Sequence, residues 1–492
     1  MSTFGRSLSH KQRALTVSSP RLFDKSVSSP RFSRKSEVSR LFRVLIAIGS
    51  VVSFFLAIGG GYLYVLPSLT KSFHEENLIS FNGSDSFCDI FDGKWVVDNN
   101  YPLYNASECP FVEKGFNCLA NGRTNGDYLK WRWKPRNCEL PRFNVHHMLE
   151  ILRNKRIVFV GDSMSRTQWE SLICLLMTGV QDKGSVYEVN GNKITKLIRF
   201  LGVRFSSFNF TVEFYRSVFL VQHTWSSKYG IKRVRSTLTL DKLDDISDEW
   251  INADVLIFNS GQWWVPGKLF GVGCYFQVNS TLRIGMSIQM AFRTALETWS
   301  SWIDTKINPN RTRVFFRTFE PSHWRYLLIA MPSIQMNAFG SLSRKFLQIG
   351  AGLDVRRPYP YLCGVQRLFP IDLTYSISAT NEYILVFISN LTQRMCNVTN
   401  QPLSETNGQE SSSFSDAVLE VAHSMKVPVN VLHITPMSAY RKDAHVGLWS
   451  DNPSLSDCSH WCLPGLPDLW NEMIFSYLHD SYQHTSLYQQ RE

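Results

Sequence analysis

None of the widespread catalytic fingerprints occurs in this chain. It has no lipase-type G-x-S-x-G, no phosphate-binding G-x-x-x-x-G-K-[ST], no H-E-x-x-H and no dinucleotide-binding glycine pattern after its first strand. Sequence grounds for a phosphate cradle, a helix-borne zinc pair or a Rossmann cofactor are therefore missing. Cysteine is absent before Cys88. The ten cysteines from there on include no paired C-x-x-C, so a zinc ribbon lacks its ligand spacing. Acidic residues are nearly absent from the first 43 positions, where ten Lys and Arg face only Asp24 and Glu37. That stretch holds +8 of the net charge of +11. The remainder is close to neutral, which removes the argument for a nucleic-acid surface on the folded part.

The basic tail gives way to a strongly apolar run. Residues 44–66, VLIAIGSVVSFFLAIGGGYLYVL, carry no charge and are long enough for a helix to cross a hydrocarbon core of about 30 Å. A buried soluble helix is the competing reading, weakened because no face of the segment is polar. The run is long for a signal-peptide core and ends without a small-residue cleavage site. Lys and Arg precede it, which predicts a type II anchor with a cytosolic tail (1–43) and a lumenal remainder. N-x-S/T sequons at Asn82, Asn105, Asn209, Asn279, Asn310, Asn390 and Asn397, and ten cysteines all beyond the anchor, agree with an oxidising lumen in which thiols pair.

The chain beyond the anchor divides by texture. Residues 67–86 read as a short stem, and 87–142 as a small Cys/Trp-rich subdomain without long periodic segments. From 143 to about 480, short apolar runs such as RIVFV (156–160), DVLIF (254–258), RVFFRTF (313–319) and VNVLHI (429–434) alternate with amphipathic helical stretches. That alternation predicts an α/β domain with a parallel sheet covered on both faces. Residues 326–394 fit no period. A span that long without pattern inside a compact domain counts against its belonging there.

The chemistry concentrates at two places. Gly161-Asp162-Ser163 closes the first apolar strand, where glycine permits a tight strand-to-helix turn. Ser163 would then stand at the carboxyl edge of the sheet beside a helix N-terminus, a site for ligands and for stabilising an oxyanion. The same tripeptide reads equally well as a helix cap. Asp457-Cys458-Ser459-His460 supplies the base and orienting carboxylate that a serine nucleophile needs, three residues apart on one loop. Among the competing histidines, His433 reads as a core residue and His323 as a loop holder, while His445 lies in R-K-D-A-H.

Longer blocks carry a resemblance. GDSMSRTQWESLICLL (161–176) and DCSHWCLPGLPDLWNEM (457–473), with FNSGQWW (258–264), FFRTFEPSHW (315–324) and FCDIFDGKWV from Phe87, resemble the trichome birefringence-like family of plant polysaccharide O-acetyltransferases. The similarity spans about residues 87–325 and 395–480. It implies an SGNH-hydrolase-like core, a disulfide-rich N-terminal subdomain and a Golgi type II membrane protein. By the same resemblance Ser163 carries the acyl group, His460 is the general base and Asp457 its orienter. Arg166 helps bind the substrate or acyl oxygen. Gly161, Asp162, Asn259 and Gly261 border the substrate, with the backbone of Ser163 and Asn259 or Gly261 forming the oxyanion hole. The family pattern implies bridges Cys88–Cys138, Cys109–Cys174, Cys118–Cys462 and Cys396–Cys458, leaving Cys274 and Cys363 over.

The partners implied are an acetyl donor (acetyl-CoA or a derived carrier), a cell-wall polysaccharide acceptor and the Golgi membrane. No bound cofactor, metal or nucleic acid is implied. Three departures stand out. Gln262 replaces the usual histidine, as in a subgroup associated with pectic polymers, so the acceptor leans to pectin ahead of xylan or mannan. Ala444 stands where D-G-H is usual, which questions a tight turn there. Residues 326–394 intervene where the family runs on directly, and are read as a translated retained intron or, if genuine, a disruption after the fourth strand. A polysaccharide acetylesterase with the same residues and an inactive wall-polymer scaffold are the alternatives.

Overall fold

The computed structural model describes residues 88–225, 230–328 and 392–489. The tail, the expected span at 44–66, the stem, Asn82, Asn390 and Cys363 lie outside them. Among the described residues no helix is long and apolar enough to cross a membrane.

The apolar runs pair as their composition predicts. The strands β1 (Gly93–Val97) and β2 (Trp131–Pro135) form an antiparallel ladder in the N-terminal subdomain. The main sheet has seven strands: β3 (Arg156–Gly161), β4 (Val186–Glu188), β5 (Phe200–Phe205), β6 (Phe210–Arg216), β9 (Val255–Asn259), β12 (Arg313–Arg317) and β15 (Val429–Leu432). Their order is β15-β12-β9-β3-β6-β5-β4. The five from β15 to β6 run parallel. β5 pairs antiparallel with both β6 and β4, so the sheet is mixed, and the expectation of a parallel sheet is corrected at this edge. The reason is the connection. Only residues 206–209 join β5 to β6, turning at Asn209 with φ 56°, and a link that short can return the chain only antiparallel.

A second, four-stranded sheet is built from β7 (Val221–Thr224), β8 (Ser236–Leu243), β10 (Cys274–Val278) and β11 (Thr281–Arg283).

Side-chain alternation divides the core in two. Ile157, Phe159, Val255, Ile257, Phe315 and Leu432 face one cluster. Val158, Val160, Leu256, Phe258, Val314, Phe316 and Val431 face the other, as the two-residue period of a strand buried on both sides requires. The first cluster contains α1 (Val145–Ile151), α2 (Ser163–Met177) and α5 (Leu466–Gln489), together with residues of the N-terminal subdomain. Every α2 residue from Met164 to Met177 is buried. The second holds α3 (Ile288–Lys306) and α4 (Ser413–His423) against the strands. The Cys/Trp-rich subdomain therefore shares a core with the α/β domain. Two of the four disulfides, Cys109–Cys174 and Cys118–Cys462, lock them together. Cys88–Cys138 and Cys396–Cys458 complete the set, the pairing the resemblance implies. Cys274 is buried and free.

The anomalous span does not disrupt the sheet. β13 (Trp324–Leu328) pairs antiparallel with β14 (Thr392–Cys396), Trp324 opposite Cys396 and Leu328 opposite Thr392. Both ends are thus held side by side, and β12 and β15 pair beyond them without a break in register. Replacing residues 329–391 by Asn-Gly closes a two-residue hairpin on an existing ladder. We expect the resulting protein to melt cooperatively within about 2 °C of the full chain, the shift that about 1 kcal/mol produces in a domain of more than 300 residues; a lost or broadened transition in a calorimetric scan would contradict it.

Candidate active site

Ser163 owes its position to a turn that only glycine can make. A Cβ at Gly161 would lie 1.9 Å from Asn259 Oδ1 and 2.8 Å from the Asn259 carbonyl oxygen, so β3 and β9 approach too closely for any side chain. Asn259 Nδ2 donates to Asp162 Oδ1 at 3.0 Å, and Asn259 Oδ1 accepts from the Asp162 N–H at 3.3 Å. Asp162 is the N-cap of α2, its carboxylate accepting the Met164 N–H at 2.9 Å. The cap and the exposed serine are therefore neighbours, Asp162 capping and Ser163 opening the helix. The Ser163 N–H is among the four N-terminal amides that have no intrahelical acceptor.

Asp457–His460, expected as a loop, lies in a short strand (Asp457–Trp461) paired antiparallel with His445–Gly447, and this segment closes on the serine. His460 Nε2 lies 2.7 Å from Ser163 Oγ, and His460 Nδ1 lies 2.7 Å from Asp457 Oδ2. The other carboxylate oxygen of Asp457 accepts the N–H groups of Ser459 (2.8 Å) and His460 (3.0 Å), folding the loop around it. Bridges at Cys458 and Cys462 pin the loop on both sides of His460. Burial disfavours charge on both groups, yet their attraction prevails. His460 sits above the usual imidazole value beside the Asp457 carboxylate, and Asp457 is held well below the carboxylate range by His460 and the two amides.

Several residues of this site carry no motif of their own. Phe116 stacks on His460, ring centroids 5.4 Å apart. Behind it, the Arg166 guanidinium lies 5.0 Å from the Phe116 ring, ion-paired with Glu113 and, at 2.7 Å, with Glu170. Arg166 is 3% exposed, so the substrate-contacting place expected for it is corrected. The physical reason is that the N-terminal subdomain covers this part of α2 and supplies Glu113 as a partner. Burial raises the Glu170 carboxyl, and Arg166 opposes that rise.

The remaining candidates fall nearby. Gly261, at φ 140°, comes just after β9, and a Cβ there would press on Phe319 at 3.0 Å. Gln262 Nε2 donates to the Glu320 carbonyl at 2.7 Å, tying this loop to the one after β12. His323 and His445 form a buried chain. His323 Nε2 contacts the Ala439 carbonyl and His323 Nδ1 contacts His445 Nε2, both at 2.7 Å; His445 Nδ1 then reaches the His460 carbonyl at 3.0 Å. Burial lowers both rings, His323 to about 4, so they serve as supports behind the base. Ala444 occupies a 3₁₀ turn, Lys442–Ala444, which needs no glycine. His433 is half-buried just past β15.

An α/β sheet bearing a serine at the carboxyl end of a central strand, with an Asp-x-x-His loop folded onto it, is the arrangement of an SGNH-like acyl-esterase domain. The family model described as PC-Esterase, a GDSL/SGNH-like acyl-esterase family found in Pmr5 and Cas1p, matches residues 140–327 and 389–477. The PMR5 N-terminal domain matches residues 86–139. Among curated proteins of Arabidopsis thaliana, trichome birefringence-like 7 is 56% identical over 446 residues, covering 90% of this chain and 85% of that protein. Trichome birefringence-like 6 is 37% identical, covering 80% and 70%, and trichome birefringence itself is 34% identical, covering 80% and 56%. The chain belongs to the trichome birefringence-like family. The two PC-Esterase stretches pass over residues 328–388, most of the span that the β13–β14 ladder closes.

The geometry sets the pH dependence of any reaction that needs neutral His460. Such a reaction should accelerate with pH through a midpoint above the ordinary imidazole value of about 6.5. Asp457→Asn should lower that midpoint as well as the rate, because the charge that raises it is gone; an unmoved midpoint in a kcat/KM profile would exclude His460 as the titrating group. Arg166→Met leaves the buried Glu170 and the half-buried Glu113 without their cation, which should cost about 3 kcal/mol in urea unfolding.

Proposed function

We propose that this protein transfers acetyl groups to hydroxyls of a plant cell-wall polysaccharide through an acetyl-Ser163 intermediate. The observation that carries this reading is the 2.7 Å contact between His460 Nε2 and Ser163 Oγ, backed by Asp457. In the first half-reaction His460 takes the Ser163 proton while Oγ attacks the acyl carbonyl of the donor, acetyl-CoA or a carrier derived from it. The tetrahedral oxyanion faces the Ser163 N–H and an amide near Gly261 or Asn259. Collapse expels the donor's leaving group, which takes the proton back from His460. In the second, a sugar hydroxyl gives its proton to His460 and attacks the acetyl carbonyl; collapse breaks the bond to Ser163 Oγ, His460 passes the proton to that oxygen, and the sugar ester leaves.

We place this chemistry in the Golgi lumen, with residues 44–66 as a type II anchor. The sequons at Asn105, Asn209, Asn279, Asn310 and Asn397 are all exposed, which suits glycosylation there. Residues 329–391 we take as a translated intron, dispensable to the reaction.

The acyl-esterase description of the matching family favours hydrolysis as a second reading, in which water replaces the sugar. Both require Ser163. Incubation of the protein with an acetyl donor and de-acetylated pectin, xylan or mannan oligomers should add 42 Da per event (about the mass of an acetyl group replacing hydrogen) to the acceptor. Ser163→Ala should reduce the rate by at least about 10³-fold. Acetate release with no acetylated oligomer would support hydrolysis, and turnover surviving in Ser163→Ala would exclude the acyl-serine.

A further inference from the structure

Beside the turn that carries Ser163, and in the loop after β9, stand two cations, Arg216 and Lys268, joined through one tryptophan ring. Arg216 ends β6 directly opposite Gly161, and the neighbouring Ser217 N–H donates to the Gly161 carbonyl at 2.9 Å. Arg216 is exposed, and its guanidinium lies 5.6 Å from the centre of the Trp263 ring. Lys268, also exposed, places Nζ 4.5 Å from the same ring. Among the described residues neither makes an ion pair, whereas Arg199, Arg156 and Arg166 around them each hold a carboxylate. Arg216 is instead lowered, first by desolvation and then by repulsion from Arg166. Asp162 attracts it without forming an ion pair with it; Oδ1 of that carboxylate is bound to Asn259 and to the Met164 N–H. From Trp263 an aromatic line continues through Phe219 (6.2 Å) and His223 (5.9 Å) to Trp225 (4.5 Å), whose indole is 76% exposed.

Each part of this surface matches one feature of an acidic sugar chain. An open indole such as Trp225 packs against the apolar face of a pyranose and keeps its hydroxyls in water. A guanidinium grips a carboxylate through two parallel hydrogen bonds, and an ammonium holds a second as a point charge. Trp263 stabilises both cations in place without neutralising them. Nonpolar and polar contacts alone would suffice for a neutral polymer, for which two uncompensated charges bring no gain.

We infer that Arg216, Trp263, Lys268 and Trp225 form the acceptor subsite, and that the acceptor is a uronate-bearing polysaccharide. The inference rests on Ser163 as the reacting group, since the subsite is defined by its place beside that residue. An acyl donor with phosphates offers the same anionic chemistry, so the test must separate donor from acceptor.

Binding answers this independently of turnover. With full-length Ser163→Ala protein, an oligogalacturonate, its fully methyl-esterified form and a xylo-oligosaccharide of equal length are titrated calorimetrically. The acid form should bind at least about ten-fold more tightly than either neutral chain, with the advantage shrinking at about 0.5 M salt. Adding Arg216→Gln and Lys268→Gln should bring the three ligands within about two-fold of one another, while affinity for the neutral chains is kept, which reports an intact fold. Equal binding of acid and neutral chains, or an acid preference that survives the double substitution, overturns the inference. So does a double variant that loses acetyl-CoA binding alone, which assigns the cations to the donor. Failure of Ser163 to acylate would sink the reaction proposed above and leave these binding outcomes readable.

Discussion

The two groups of the candidate site that touch, Ser163 and His460, come from positions 297 residues apart, and the cross-link Cys118–Cys462 governs how they meet. It joins positions 344 residues apart and fastens the histidine loop to the N-terminal subdomain. Two residues before each cysteine of the bridge stand Phe116 and His460, and their rings stack. The same subdomain segment supplies Glu113 to Arg166 on the first turns of α2, the helix that begins with Ser163. One small subdomain thus touches both the helix that begins with Ser163 and the strand that carries His460. Held so, the imidazole loses little freedom on reaching its working geometry, which is what pre-organisation requires of a catalytic group.

Electrostatics divides the buried charges by task. Asp457 remains ionised because three hydrogen-bond donors converge on it. His323 and His445 sit just behind, where burial disfavours their charge, and together they link the Ala439 carbonyl to the His460 carbonyl. The Arg166 charge, close enough to lower His460 slightly, is offset by two carboxylates. The field felt by the base is therefore dominated by Asp457.

Much of this is legible in the amino-acid sequence, for local reasons. Gly161-Asp162-Ser163 and Asp457-x-x-His460 encode their turns within a few residues, and the apolar strands declare themselves by composition. The parallel core from β15 to β6 reflects that alternation, whereas the antiparallel edge hides in a loop of four residues within an otherwise continuous aromatic-rich stretch. Arg166 misleads because its surroundings are supplied by Glu113, more than fifty positions earlier. Phe116 carries a usable signal: once Cys118 is paired with Cys462, a residue two positions before one cysteine lies within reach of a residue two positions before the other. The support from His323 and His445 has no such trace, since it depends on the loop after β12 meeting a two-stranded ladder, His445–Gly447 against Asp457–Trp461.

The ladder between β13 and β14 has an implication for how such a chain tolerates change. Two strands already paired at Trp324–Cys396 and Leu328–Thr392 fix the ends of whatever joins them. Lengthening the joint costs only about 0.6 kcal/mol for each doubling, against a sheet whose register is set elsewhere. The molecule therefore has a port at this point, where sequence can enter or leave with little penalty to the fold. Selection acting through stability would be nearly blind to it, and only an effect on the neighbouring Cys396–Cys458 bridge would bring it into view.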